Sequence, residues 1–177
     1  LKDYVADFSC AFVDRLERGG AIFVGKTNSP IEGFRGTCYS YLIGPSRNPF
    51  DPTRNTGGSS GRRAAAVAVG LVPIAHGTDG GGSIRIPAAW CGVYGYKASW
   101  GRTPFLIRPN AFAGDAPFLF EGPITRTVDD AALAMTALAG HDPADPYSMD
   151  GEVDFIGATR RSIRGWKIAY SPDFDVY

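Results

Sequence analysis

Apolar positions recur at helical spacing between Val5 and Arg18, where Val5, Phe8, Phe12, Val13 and Leu16 fall on one stripe and Gly19-Gly20 ends the run. The next four residues, Ala21-Ile-Phe-Val24, form a continuous apolar run of strand length, the pattern of a strand buried on both faces of a parallel sheet. Polarity then takes over: from Thr27 to Thr56 the chain is rich in Pro, Asn, Ser, Arg and Gly and predicts a long irregular loop. Within it, Asn48-Pro-Phe-Asp-Pro52 carries two X-Pro steps that exclude helix. Small residues from Ala64 to Val69 predict a closely packed helix entered through Gly57-Gly-Ser-Ser-Gly61, and Leu71 to Ala75 a second short strand. Three glycines, Gly80 to Gly82, then lead into Ser83-Ile-Arg-Ile-Pro87. Val128 to Leu138 reads as a helix opened by Thr127, with Asp129 and Asp130 in its first turn, where carboxylates suit the helix dipole. Trp166-Lys-Ile-Ala-Tyr170 predicts a third strand. Strands alternating with helices predict an α/β fold, a mixed, largely parallel sheet flanked by helices. Neither an internal repeat nor a low-complexity tract interrupts it.

Length sets the scale, since 177 residues suffice for one domain with a real core and not for two. Charge narrows the partners: 18 basic and 18 acidic side chains give a formal net charge of zero. That balance argues against a nucleic-acid binder driven by counterion release. No apolar run approaches the length of a membrane span. Gly and Pro contribute 23 and 13 residues, a share that makes a loop-rich protein, and loops are where sites are built. The cysteines Cys10, Cys38 and Cys91 include no CxxC pair and the chain has only two histidines, so spacing offers no zinc site and the thiols read as reduced, as in the cytoplasm. The chain opens on Leu1 rather than Met and closes at Tyr177 beyond a strand-like run, as a piece of a longer protein would. The absence of a leader therefore carries no weight.

Three glycine-rich motifs compete as the seat of chemistry. Gly20-Ala-Ile-Phe-Val-Gly-Lys-Thr27 matches the letters of a phosphate-binding P-loop, but its strand-like residues occupy the loop positions and Asn28-Ser-Pro30 denies it the following helix. Gly57-Gly-Ser-Ser-Gly61 matches the letters of a nucleophile elbow, yet the polar turn Thr53-Arg-Asn-Thr56 stands where an apolar strand must feed the serine. His76, a lone histidine at a strand end, reads as structural rather than as its base. The stretch Gly77-Thr-Asp-Gly-Gly-Gly-Ser-Ile-Arg85 is more informative, because glycines ahead of a serine let backbone N–H groups converge into an oxyanion hole. Its alternative reading is a glycine-rich helix entry with a serine cap. A helix and a strand separate Ser59 from Ser83 and run back over comparable lengths, which can bring the two clusters together. With no histidine beside them, a neutral lysine is the natural base, and burial is what lowers a lysine pKa from about 10.4. Lys2, Lys26 and Lys97 are candidates between which spacing does not choose.

These residues resemble the amidase-signature family of serine hydrolases. The resemblance runs from Gly20 through Pro104 and rests on Gly25-Lys-Thr-Asn28, Asn48-Pro49, Gly57-Gly-Ser-Ser-Gly61, Gly77 to Pro87, Cys91-Gly92 and Gly95-Tyr-Lys97, with weaker similarity to Tyr170. It implies a Ser-cisSer-Lys triad that hydrolyses amides through an acyl-enzyme. Ser83 matches the nucleophile, Ser59 the bridging serine that follows a cis peptide bond, and Lys2 the catalytic lysine. Backbone N–H groups of Gly80, Gly81, Gly82 and Ser83 match the oxyanion hole, and Ser60, Thr78, Asp79 and Arg85 match positions that support these loops. The family also implies a small-molecule amide substrate, no metal or organic cofactor and no direct contact with nucleic acid or membrane, and it is compatible with a homodimer. Two departures stand out. The Lys2–Ser59 interval is shorter than the family usual, so a loop missing near Val5–Asp7 is expected, together with a C-terminal half beyond Tyr177 that completes one domain. Arg62-Arg63 replaces small residues beside the bridging serine and is expected to point into solvent. An amidase acting on a small carboxamide or anilide is the leading reading. A glutaminase component of an amidotransferase and a non-catalytic binding scaffold are the alternatives.

Overall fold

The computed structural model describes residues 3–107 and 118–173. Its elements, in chain order, are α1 (Ala11–Arg18), a single 3-10 turn (Ile31–Gly33), β1 (Tyr39–Ser40), β2 (Gly44–Pro45), α2 (Gly61–Ala68), β3 (Ile74–Asp79), α3 (Arg85–Cys91), β4 (Tyr94–Gly95), β5 (Phe120–Thr125), α4 (Val128–Leu138) and α5 (Phe155–Ala158). The architecture is mixed α/β, as the alternation predicts.

The sheet departs from the expected parallel arrangement. Its order is β3-β5-β4, and every ladder among the described residues is antiparallel: β3 pairs β5 from Ile74↔Thr125 to Asp79↔Phe120, and β4 pairs β5 through Tyr94↔Thr125 and Gly95↔Ile124. The β3-α3-β4 crossover does place two strands in the same direction, but β5 inserts between them and supplies both sets of hydrogen bonds. The insertion was hidden by composition, since Gly122 and Pro123 inside Phe120–Thr125 argue against a central strand. Pro123 is tolerated because a residue's N and O point to the same side of a strand. Its carbonyl faces the β4 side, where it accepts from Tyr96 N at 3.0 Å, so the missing N–H leaves the β3 ladder whole. Gly122 fits the same edge: a Cβ there would collide with Tyr96 O.

Helices cover both faces of this sheet. On one, Phe12 and Leu16 of α1 pack with Ala134, Met135 and Leu138 of α4 and with Ala98. On the other, Ala64 and Val67 of α2 meet Ile84, Cys91 and Ile124. Alternation along β3 sorts its side chains accordingly, with Ile74 packed against the first cluster and Ala75 against the second. Helix α1 begins at Ala11, so Val5 and Phe8 lie outside it and are exposed. Helix α4 has the bounds the sequence predicts, and Thr127 caps it by accepting from Asp130 N at 3.1 Å.

Two expected strands are not strands. Ala21–Val24 and Trp166–Tyr170 are irregular, and Ile22, Val24, Ile168 and Tyr170 are at least 73% exposed. An apolar run becomes a strand only when another strand supplies its hydrogen bonds, and neither run has a ladder partner among the described residues. The expected strand at Leu71–Ala75 starts later, at Ile74, and continues to Asp79. No helix of the described residues is long and apolar enough to cross a membrane.

Candidate active site

The carboxyl end of β3 and the entry to α2 converge on two serine-bearing loops. The α2 entry approaches the chain so closely at Gly58 that a Cβ there would lie 2.7 Å from Arg35 O and 2.9 Å from Thr37 N. The Gly58–Ser59 peptide is cis. Ser59 is buried, and its Oγ lies close enough to the 31–33 turn that a Cβ on Gly33 would touch it at 3.9 Å. Ser60, fully buried, joins the loops. Its N–H donates to the carbonyl of Ser83 at 3.2 Å, while its Oγ accepts from Thr78 N at 3.2 Å and donates to Thr78 O at 3.4 Å. The adjacency of the two clusters expected from the sequence is therefore present, and Ser83 stands half-buried at its edge.

Asp79, the last residue of β3, organises the glycine loop. Its fully buried carboxylate accepts from Gly82 N at 2.7 Å, Ile84 N at 3.1 Å and Arg85 N at 3.3 Å, and from the Arg85 side chain at 2.8 and 3.0 Å. Burial pushes this carboxyl up, but the Arg85 side chain and the three N–H groups outweigh it and hold the group below the usual carboxylate range. In turn, the bond to Asp79 holds the Arg85 guanidinium above its ordinary value. Gly82 takes φ +112°, where a side chain would be strained and would strike Ile86. Of the four expected oxyanion donors, the Gly82 N–H is committed to Asp79, which leaves Gly80, Gly81 and Ser83 outside that carboxylate's grip. Gly80 and Gly81 are exposed.

The lysine candidates separate. Lys2 lies outside the described residues. Lys26 is exposed, in an irregular segment that no helix follows, which removes the structural basis of the P-loop reading. Lys97 seats its ammonium 3.5 Å from the centre of the Phe120 ring and donates to Ala98 O at 3.1 Å. Arg63 corrects an expectation: it is drawn inward, and burial lowers its pKa while Cys38, Glu121 and Cys10 act to raise it. Arg62 is partly buried too. The aromatic residues Phe34, Tyr41 and Phe118 are at least 66% exposed, and Tyr41 meets half-buried Tyr39 edge-on at 5.4 Å.

Sequence reading passed over Glu121, whose motif letters carry no signal. Buried at 3% exposure in β5, it holds His76 Nε2 at 3.1 Å through Oε1. The His76 ring also meets Phe12, tilted, with ring centres 4.4 Å apart. Asn28 and Asn48, by contrast, stand in the matched motifs and prove to be loop anchors: Asn28 donates to Gly44 O at 3.1 Å and Asn48 to Trp90 O at 2.8 Å.

Comparison with known proteins adds an independent line. The Amidase family profile matches residues 1–177. An acylamidase from Rhodococcus erythropolis is 43% identical over 174 residues, 98% of this chain and 36% of that protein. A glutamyl-tRNA(Gln) amidotransferase component from Deinococcus radiodurans is 39% identical over 168 residues, covering 95% of this chain and 34% of that one. Among solved structures, a bacterial aryl acylamidase of the amidase signature family superposes with a TM-score of 0.85 at 53% identity, over 89% of this chain and 32% of that chain. The chain thus spans about a third of the length of the relatives it matches.

Proposed function

We propose that this chain, which belongs to the Amidase family, carries the nucleophile of a serine amidohydrolase that cleaves the C–N bond of a small carboxamide or anilide. Ser83 Oγ attacks the carbonyl carbon. Its proton passes to Ser59 Oγ, whose own proton passes to Lys2 Nζ as general base. The tetrahedral oxyanion is received by N–H groups of Gly80, Gly81 and Ser83, since Gly82 is held by Asp79. Collapse expels the amine, which takes a proton back along the same relay, and water then hydrolyses the Ser83 ester. Ser60 and Thr78 hold the two loops together, and Asp79 and Arg85 shape the donors. The relay calls for no metal or organic cofactor.

The observation that carries this reading is the bond from Ser60 N–H to the Ser83 carbonyl, because it fastens the loop of the bridging serine to the backbone of the nucleophile. Similarity to an acylamidase and an aryl acylamidase supports a small amide as substrate. In this reading the chain is part of one amidase-signature domain, acts in the cytoplasm, where the free thiols of Cys10, Cys38 and Cys91 fit, and needs no direct contact with nucleic acid.

The test is intact-mass spectrometry of the protein before and after a fluorophosphonate. One adduct that vanishes in Ser83→Ala is expected, and an adduct that persists in that variant overturns the assignment. Similarity to glutamyl-tRNA(Gln) amidotransferase components favours a second reading, a glutaminase that passes ammonia to a partner. Glutamine turnover that rises on adding partner proteins and tRNA distinguishes it from a free-standing amidase.

A further inference from the structure

A cluster that the amide chemistry leaves unused lies on the α1 side of the sheet. Cys10 Sγ at the N-cap of α1, a ring nitrogen of His76 in β3 and a carboxylate oxygen of Glu121 in β5 all lie within 4.8 Å of one another. Spacing along the chain did not offer this set, because its members come from three separate elements. Each is pre-positioned. The Phe12 ring packs against His76 in a tilted contact, 4.4 Å between ring centres, and Glu121 holds the imidazole Nε2 at 3.1 Å. Cys10 is held at the start of α1, where its carbonyl accepts from Val13 N at 3.0 Å and from Asp14 N at 3.1 Å. Most telling is Glu121. Its side chain is 4% exposed, Oε1 holds His76, and Oε2 is shielded from solvent with no hydrogen-bond partner among the described residues. A carboxylate oxygen left this way is costly unless something positive meets it.

We propose that Cys10, His76 and Glu121 bind one zinc ion, with three protein ligands and a fourth position open. Thiolate, imidazole and carboxylate together suit a borderline-soft divalent cation. Its bonds, about 2.3 Å to sulfur and about 2.0–2.2 Å to nitrogen and oxygen, require the three donors, now within 4.8 Å of one another, to draw together by up to about 1.5 Å. Arg63 is the opposing group, since its guanidinium is drawn inward within the field of Glu121 and Cys10. Zinc with one thiolate and one carboxylate is formally neutral, so binding deprives Arg63 of its counter-charges rather than stacking a second net cation against it. The ion fastens the start of α1 to β3 and β5, independently of the hydrolytic reading.

The test uses the full chain with cobalt chloride and zinc chloride alone. One equivalent of Co²⁺ is expected to give a near-ultraviolet thiolate-to-cobalt absorption that Zn²⁺ abolishes. Cys10→Ala removes it, whereas Cys38→Ala, at a buried thiol bonded to Ser46 and Asn28, leaves it intact. Glu121→Gln weakens binding at least tenfold and Arg63→Leu tightens it. The proposal is overturned if the wild-type chain shows no such absorption, if the absorption survives Cys10→Ala, or if Glu121→Gln binds as the wild type does. The first criterion is read on the wild-type chain, so it holds even where a variant fails to fold.

Discussion

Arg85 closes a two-point pair on Asp79, Nε to Oδ2 at 3.0 Å and Nη2 to Oδ1 at 2.8 Å, while Asp79 has no exposed side-chain surface and Arg85 is 56% exposed. The asymmetry matters. The carboxylate has no water to fall back on and also holds three N–H groups of the Gly82–Arg85 turn, whereas the guanidinium remains half in solvent. Asp79 is therefore the keystone of the Gly82–Arg85 turn, and Arg85 its outer brace.

Unequal costs follow for the two partners. Asp79→Ala leaves buried donors unpaired and is expected to cost on the order of 3 kcal/mol in urea unfolding. Arg85→Ala, screened by solvent, is expected to cost about 1 kcal/mol or less. Similar losses in both variants would contradict the keystone role.

Acid should expose the same carboxylate. Its folded pKa lies below the ordinary value of 3.8, so its stabilisation is complete above that value and is lost as pH falls through the lower folded one. The stability gap between wild type and Asp79→Asn is expected to stay level down to about pH 5 and to narrow below about pH 4, measured by urea unfolding at each pH. A constant gap would mean that Asp79 acts through shape and not charge.

Helix α4 offers a site where stability and chemistry separate. Thr127→Ala removes the cap on Asp130 N and is expected to cost about 1 kcal/mol. Fluorophosphonate labelling of Ser83 should keep its rate, because the bonds of Thr127 and Asp130 stay within the β5–α4 junction.

What the sequence revealed and what it concealed have physical causes. Thr127, Asp129 and Asp130 announced α4 because a helix is decided by neighbours three and four residues away. The meeting of the Ser59 and Ser83 loops was also legible, since the intervening helix and strand have matching lengths. Strands were not, because pairing is decided by distant segments. Ala21–Val24 has strand composition but no partner among the described residues, and Phe120–Thr125, with its Gly and Pro, lies at the centre of the sheet. Glu121 and Arg63 were invisible for the same reason: burial of a charge depends on what the fold brings around it.

Cysteine reactivity should follow burial. Cys91 is fully buried and its pKa is pushed up to about 11, so roughly one molecule in a thousand carries the thiolate near pH 8. Iodoacetamide is expected to leave Cys91 unmodified in the folded chain and to modify it fully in urea, read by peptide mass spectrometry. Rapid labelling of Cys91 without denaturant would contradict its place between α2, α3 and β5.

Ser59 and Ser60 are neighbours with separable roles. Ser60→Ala loses the hydroxyl that accepts from Thr78 N at 3.2 Å but keeps the N–H that holds the Ser83 carbonyl. It is expected to cost about 1 kcal/mol in stability and to slow Ser83 labelling by roughly tenfold or less, through slack in the loop. Ser59→Ala removes the proposed proton bridge and is expected to slow labelling by about 10²–10⁴, the usual range for a general acid–base group. Its effect on stability should be no larger than that of Ser60→Ala, since no hydrogen bond to the Ser59 hydroxyl ties the described loops together. The two variants therefore move in opposite order on the two measurements. If Ser60→Ala slows labelling as much as Ser59→Ala does, loop placement accounts for both effects and the relay through Ser59 is lost.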